Sequence, residues 1–491
     1  MKGNMIRFSG LGANAGKRRE DVPDGGRKEM DMTAESKAQQ ESKARVQAWE
    51  AQTKEAALWA IRRVKALGGD EASAEASADQ GLSVAVREGD LESVEHTEES
   101  QLTVSAWIGK RKGVASTSDL SEEALEAAAA AAVRIARYAA EDSCAGLPDP
   151  ASLQTRFPDL SLHHPFLGDV EEAKDYLVRA EAAALAFDSS VVNTDGVRFD
   201  TSEGCFTLAN TLGFCAGYPY GRHSVDCWPV AERAEESQRD GWWAESRFPE
   251  ALPSPEELGR KAASRAVARL GSRSLPTMTC PVIFEANVAT GFLDMLEELA
   301  SGRALYRKAS CLVGRFGTKI FPAHVSVEED PYLVGGIGSA AFDNEGCAGS
   351  RRLVVDKGIL RGAFLSSYSA RKLGLTTTGN AGGAYGLRLT SSKTTSADSL
   401  EAMLQSIPRG VLVTELIGAG LNAVTGDYSQ GAAGFWVEGG RIVHPVDGIT
   451  LSGNMLSILN GLAAVGADEA DNSGKRSGSV LIEAMDVAGS L

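Results

Sequence analysis

The chain has 491 residues, 43% apolar and 24% charged, with 50 basic against 66 acidic side chains and a formal net charge of −16. That length predicts two domains, and the composition is that of a globular protein able to bury a large interior. The negative balance repels phosphate backbones and argues against direct nucleic-acid binding. No apolar run approaches the ~18–20 residues of a membrane span, and no apolar stretch follows the basic N-terminus, so a cytoplasmic location is expected.

Residues 1–45 are polar and charged, which predicts disorder or a mis-called N-terminal extension, with Met30 and Met32 as alternative starts. A first domain is expected over 46–273. It opens on a helix, Ala48–Leu67, stopped by Gly68-Gly69. Strands follow at Leu82–Val86, Leu102–Ile108 and, after the basic turn GKRKG, Val114–Thr117, as an antiparallel meander. Ser121 N-caps an alanine-rich helix, and alanine both favours helix and lets neighbouring backbones approach closely. Val170–Phe187 is a second helix, and short strands are expected between Val191 and Val230. Ser254-Pro-Glu-Glu257 is a capping box opening a helix that Gly271 ends.

The second domain, 274–491, is richer in glycine. A strand, Pro281–Phe284, leads into a helix over Val288–Ala300 with Phe292, Met295, Leu296 and Leu299 on one face. Leu353–Leu360 and Phe435–Val443 read as hairpins, Gly410–Leu416 as a buried strand and Gly478–Glu483 as a last strand. Strands and helices do not alternate regularly. The predicted class is α+β, two domains with largely antiparallel sheets and packed helices.

Chemistry is sparse. The seven cysteines are odd in number and form no C-x-x-C pair, which predicts reduced thiols. Six histidines include no H-E-x-x-H, and His163-His164 sits in a proline-flanked loop where adjacent side chains diverge. Gly379-Asn-Ala-Gly-Gly-Ala has the look of a phosphate-cradling loop without its Lys-Ser/Thr. Glu297-Glu298 reads as a solvated helix face. The densest run is TGDYSQGAAGFWVEGG, Thr425–Gly440. It is either a loop presenting Thr425, Asp427, Tyr428 and Ser429 to a ligand or a tight turn whose Phe435 and Trp436 pack on the core. A Ser429–His444–Asp427 triad can be drawn, but the serine lacks the strand-to-helix elbow of a nucleophile.

The phrases VATGF (288–292), YRKAS (306–310), SSYSARKLGL (366–375), TGNAGG (378–383), VLVTEL (411–416) and above all TGDYSQGAAGFWVE (425–438) resemble the TldD/PmbA family, also called modulators of DNA gyrase, in its TldE-type branch. The similarity runs from about residue 50 to the end. It implies a two-domain α+β fold and a TldD/TldE heterodimeric metalloprotease acting on flexible, unfolded peptides, in peptide-antibiotic maturation and antitoxin degradation. TldD-type chains carry H-E-x-x-x-H, whose histidines bind zinc and whose glutamate serves as base. Those three positions fall here on Met295, Leu296 and Ala300, and no cysteine follows Cys347 to match a C-terminal ligand. The resemblance therefore implies no catalytic residue, metal site or cofactor in this chain, zinc in the TldD-type partner, and a role here as chamber wall and substrate contact. The competing expectations are a non-proteolytic regulatory protein acting on gyrase or a toxin–antitoxin pair, and an independent hydrolase.

Overall fold

The computed structural model describes residues 25–489, with side chains from residue 37 onward. In the first half, the strands are β1 (Glu71–Arg87), β2 (Asp90–Ile108), β3 (Arg111–Thr117), β4 (Val191–Asn210), β5 (Cys215–Arg233), β6 (Glu236–Arg239) and β7 (Trp242–Ser246). They form one antiparallel sheet in the order β3-β2-β1-β4-β5-β6, with β7 also pairing with β5. One face carries four helices, α1 (Gly25–Ala66), α2 (Glu122–Tyr138), α3 (Val170–Leu185) and α4 (Pro255–Ala268). Ala72, Ala74 and Ala76 of β1 and Leu102, Val104 and Ala106 of β2 meet Ala57, Ala60, Ala129 and Ala132 from the helices. The small side chains do what close approach requires: a Cβ on Gly113 of β3 would lie 2.1 Å from the Ala132 carbonyl of α2.

The reading of residues 1–45 as disordered is corrected where the structure describes them. Helix α1 begins at Gly25 and includes Met30 and Met32; residues 1–24 lie outside the described residues. Its docking rests on polar anchors that composition does not reveal. Ser42 Oγ donates to the buried Glu203 Oε2 (3.1 Å), Arg45 Nε donates to Glu203 Oε1 (3.1 Å), and Thr53 shares a 2.8 Å hydroxyl bond with Thr207. The strands are also longer than expected, up to 20 residues in β4. Their ends alternate alanine with serine and acids, as in EASAEASADQ, which hides the period-two signal.

The second half builds two further six-stranded sheets. Its strands are β8 (Met278–Phe284), β9 (Val325–Glu329), β10 (Arg352–Asp356), β11 (Ile359–Leu360), β12 (Leu387–Ser391), β13 (Arg409–Ile417), β14 (Asp427–Glu438), β15 (Arg441–Asn454), β16 (Leu462–Val465), β17 (Ala470–Asn472), β18 (Lys475–Ser477) and β19 (Val480–Gly489). The orders are β11-β10-β9-β12-β18-β17 and β15-β14-β13-β8-β19-β16, and a further β15–β19 pairing closes the latter on itself. The expected hairpins at 353–360 and 435–443 are present. A large core fills the space between them, from Leu275 to Val487.

The single helix expected over 288–300 is two, α5 (Ala286–Ala289) and α6 (Gly291–Ala300). Thr290 breaks the ladder, because its hydroxyl donates to the Asn287 carbonyl (2.7 Å) and its own carbonyl takes the Leu293 N–H three residues on (2.9 Å). Among the described residues no helix is long and apolar enough to cross a membrane.

Candidate functional site

Helix α6 turns Phe292, Leu293, Leu296, Leu299 and Ala300 into the core, with Leu296 1% and Ala300 0% exposed and Met295 packed at its margin. None of residues 295, 296 and 300 offers an imidazole or carboxylate, so these positions do not fit a zinc ion. The opposite face is not simply solvated. Glu297 is half-buried, its Oε1 accepting the Ala384 N–H (2.8 Å) and its Oε2 meeting Lys475 Nζ (2.8 Å), which also reaches Asp294 (2.5 Å). Glu298 is exposed as expected.

That contact leads to the glycine-rich loop 379–385, three of whose backbone donors are taken by carboxylates. The N–H of Ala381 meets Asp343 Oδ2 (2.9 Å), that of Ala384 meets Glu297, and that of Tyr385 meets Glu329 Oε1 (3.0 Å). Asn380 donates to Glu329 (2.6 Å), and Arg352 closes the network on Glu329 Oε2 (2.7 Å). Gly379 is required by both its φ of +71° and the Ala348 carbonyl, which lies 2.2 Å from where a Cβ would be. The loop is an anion cradle filled by the protein's own carboxylates, which corrects the phosphate-loop resemblance.

Asp343, Glu345 and Cys347 form the group of potential metal ligands among the described residues. Asp343 Oδ1 accepts the N–H groups of Glu345 (2.9 Å) and Cys347 (2.8 Å), and Glu345 Oε2 accepts that of Ser367 (2.7 Å). Burial pushes the Cys347 thiol up to about 12 and the Asp343 carboxyl up to about 6. With Asp343 Oδ1, Asp343 Oδ2 and Glu345 Oε2 all accepting backbone N–H groups, the cluster shapes the turns around it.

The 425–438 run is mostly strand β14, and its side chains part company. Tyr428 is buried and its hydroxyl donates to Gln430 Oε1 (2.8 Å). Phe435 packs toward Met403, Leu404 and Ile407, and Trp436 toward the main core on the other face of the sheet. Gly434 passes so near β13 that a Cβ would sit 1.9 Å from the Leu412 carbonyl. Thr425, Asp427 and Ser429 stay exposed, with Thr425 Oγ1 donating to Asp427 Oδ2 (2.7 Å). Ser429 pairs with Ser452 whereas His444 pairs with Trp436. Seven strand residues, about 23 Å at ~3.3 Å each, separate them, and the triad is excluded.

A concave site with a volume of about 470 Å³ lies elsewhere, between the sheet of the first half and loop 337–344 of the second. β4 and β5 supply its floor, because the cross-strand pairs Phe206↔Tyr218, Gly204↔Tyr220 and Ser202↔Arg222 project to one face. Phe342 covers one end, edge-on to Tyr218 with centroids 5.4 Å apart. Arg247 fastens both halves. Its Nε donates to Gly336 O (3.0 Å) and Nη2 to Ile337 O (2.9 Å), while Nη1 donates to Gly221 O (2.9 Å) and Leu162 O (3.4 Å). Arg222 is paired with Glu245. None of the six residues singled out at 425–436 lines this cleft. The signal for it was YPYGRHS, 218–224, in which Tyr218, Tyr220 and Arg222 recur with period two on a strand. Arg247, Ser339 and Asn344, far apart in sequence, gave none.

His163 Nε2 bonds Glu203 Oε2 (2.7 Å), and the buried His223 bonds the His164 carbonyl (2.7 Å), so these histidines serve the packing of loop 153–168. All seven cysteines are free.

The profiles of the PmbA/TldA metallopeptidase family match successive parts of the chain: domain 1 at residues 72–136, the central domain at 165–270 and the C-terminal domain at 277–489. The metalloprotease PmbA of Escherichia coli O157:H7 is 40% identical over 420 residues, covering 86% of this chain and 92% of that protein. A candidate modulator of DNA gyrase from Bacteroides thetaiotaomicron superposes with a TM-score of 0.83 at 26% identity, over 89% of this chain and 99% of the other. TldE from Thermococcus kodakarensis shares the fold, with a TM-score of 0.78 at 19% identity over 88% and 100% of the two chains. The α+β architecture, the three matched domains and the identity over most of the length together make this chain a member of the PmbA/TldD family of metallopeptidases.

Proposed function

We propose that this chain is the TldE-type subunit of a two-subunit peptidase acting on flexible peptides, with the metal chemistry supplied by a TldD-type partner. The observation that carries this reading is helix α6, where the positions that hold H-E-x-x-x-H in TldD-type chains are Met295, Leu296 and Ala300, two of them fully packed. A buried leucine and alanine can neither ligate a metal nor move a proton. In this reading the partner's residues would hold zinc, which would supply Lewis-acid chemistry there, and this chain's own residues hold the extended peptide and keep bulk water from it. The exposed end of β14, Thr425, Asp427 and Ser429, is assigned to the subunit interface or the chamber wall, whereas Tyr428, Phe435 and Trp436 support it from within.

The test is to purify the chain alone and together with a TldD-type subunit, then to measure bound zinc and cleavage of an unfolded peptide. The expected result is zinc and cleavage in the pair only, both lost on chelation, with the melting temperature of the isolated chain unchanged by the chelator. Zinc and cleavage in the isolated chain would overturn the reading. Joint alanine replacement of Thr425, Asp427 and Ser429 is expected to weaken association or cleavage without loss of fold.

A further inference from the structure

Arg247 is a half-buried guanidinium with no carboxylate partner among the described residues. Four of its five N–H groups are spent on backbone carbonyls, which leaves one Nη2 hydrogen without an acceptor. Burial lowers its pKa, and the neighbouring Arg222 cation works in the same direction. Across the cleft Ser339 is 6% exposed, and its hydroxyl is buried with no hydrogen-bond partner. The Tyr218 hydroxyl and the Asn344 side-chain amide, also in the wall, make no hydrogen bond among the described residues. Of the acids in reach, Glu245 is paired with Arg222 and Asp79 is held by the Tyr220 hydroxyl.

Buried charges are ordinarily paired, and buried hydroxyls are ordinarily bonded. Here a half-buried cation without a carboxylate, the unbonded hydroxyls of the buried Ser339 and the half-buried Tyr218, and the exposed Asn344 amide lie around one cavity of about 470 Å³, roomy enough for a residue or two of peptide. We infer that the cleft between the two halves is a carboxylate-binding site, in which Arg247, Ser339, Tyr218 and Asn344 hold the C-terminal carboxylate or an acidic side chain of an extended peptide. The aromatic wall of Phe206 and Tyr218 receives the apolar part of the same residue. The inference rests on the reading of the chain as a peptide-holding subunit, and it names the chemical group by which the peptide is held.

The probes are three fluorescein-labelled tetrapeptides: tetra-alanine with a free C-terminus, its C-terminal amide, and that amide with glutamate as the last residue. Fluorescence polarisation with the full chain is expected to show the free acid binding at least about ten-fold tighter than the tetra-alanine amide. Tight binding of the glutamate amide assigns the site to an acidic side chain, and weak binding assigns it to the C-terminus. Arg247→Ala would loosen the join between the halves, so the informative variants are Ser339→Ala and Tyr218→Phe. Each is expected to cost about ten-fold in free-acid affinity, leaving amide affinity unchanged and the melting temperature no lower. Equal binding of acid and amide, no binding of any probe, or full acid preference in both variants overturns the inference. Cleavage of the same probes in the presence of a TldD-type subunit is scored separately. Cleavage with no acid preference removes the carboxylate site and spares the proposed function. Acid preference with no cleavage supports the site and removes the proposed function.

Discussion

Two places in this molecule are rich in groups that attract anions, and they differ in one respect. Around loop 379–385 the N–H groups of Ala381, Ala384 and Tyr385 each meet a carboxylate of the protein itself, Asp343, Glu297 or Glu329. In the wall of the cleft between the halves, Arg247 has no carboxylate partner and the hydroxyls of Ser339 and Tyr218 make no hydrogen bond among the described residues. The loop carries the recognisable motif and the cleft carries none. Glycine-rich family motifs record where backbones and internal carboxylates must pack closely, which is a requirement of folding. A binding surface is better marked by polar groups whose partners are missing, because leaving them unpaired costs stability that only a ligand recovers.

The contrast can be broken from either side. The largest effect is expected from Glu329→Ala, since Glu329 is 2% exposed and holds Arg352, Asn380 and the Tyr385 N–H. Removing it strands a half-buried cation and two donors, at a cost of about 3 kcal/mol in chemical denaturation. A loss below about 1 kcal/mol would mean the loop is not held by its carboxylates.

Asp343 gives a pH test of the same network. Its folded pKa, about 6, lies above the unfolded value, so the native state retains a proton that the unfolded chain releases. Its contribution therefore falls as pH rises from about 4 to 6, by up to about 3 kcal/mol. Asp343→Asn is expected to flatten the pH dependence of unfolding in that window, and an unchanged slope would contradict it.

Gly379→Ala should cost about 2 kcal/mol, from the strained φ and the clash with Ala348 O, read as a lower denaturation midpoint at unchanged m-value. The smallest effect has the opposite sign. Ser339→Ala deletes a buried, unpaired hydroxyl and is expected to be neutral or to stabilise by up to about 1 kcal/mol. A clear loss in thermal unfolding would show that Ser339 belongs to a bonded network like that of loop 379–385.

Much of the local structure was legible. Ser121 and Ser254 cap the helices that follow them, and the hairpin at Gly439-Gly440 is where its glycines required it. Helix α1 before residue 46 was not legible, because it is held by Ser42 and Arg45 on a carboxylate far away in the chain. Nor was the solvated reading of Glu297 sound, since its partners Ala384 and Lys475 come from other elements.

By itself, the sequence determined what cannot happen at helix α6: with methionine, leucine and alanine at positions 295, 296 and 300, no zinc site of the H-E-x-x-x-H kind can form there. It also determined the apolar and glycine patterns from which the family is recognisable, because those are written in short-range spacing. Only the tertiary structure decided that Tyr428, Phe435 and Trp436 are packed inward, that loop 379–385 is already filled, and that Arg247 and Ser339 meet across a cleft. Hydrogen-bond saturation is a property of atoms brought together from distant segments, and no linear pattern encodes which of them are left without a partner.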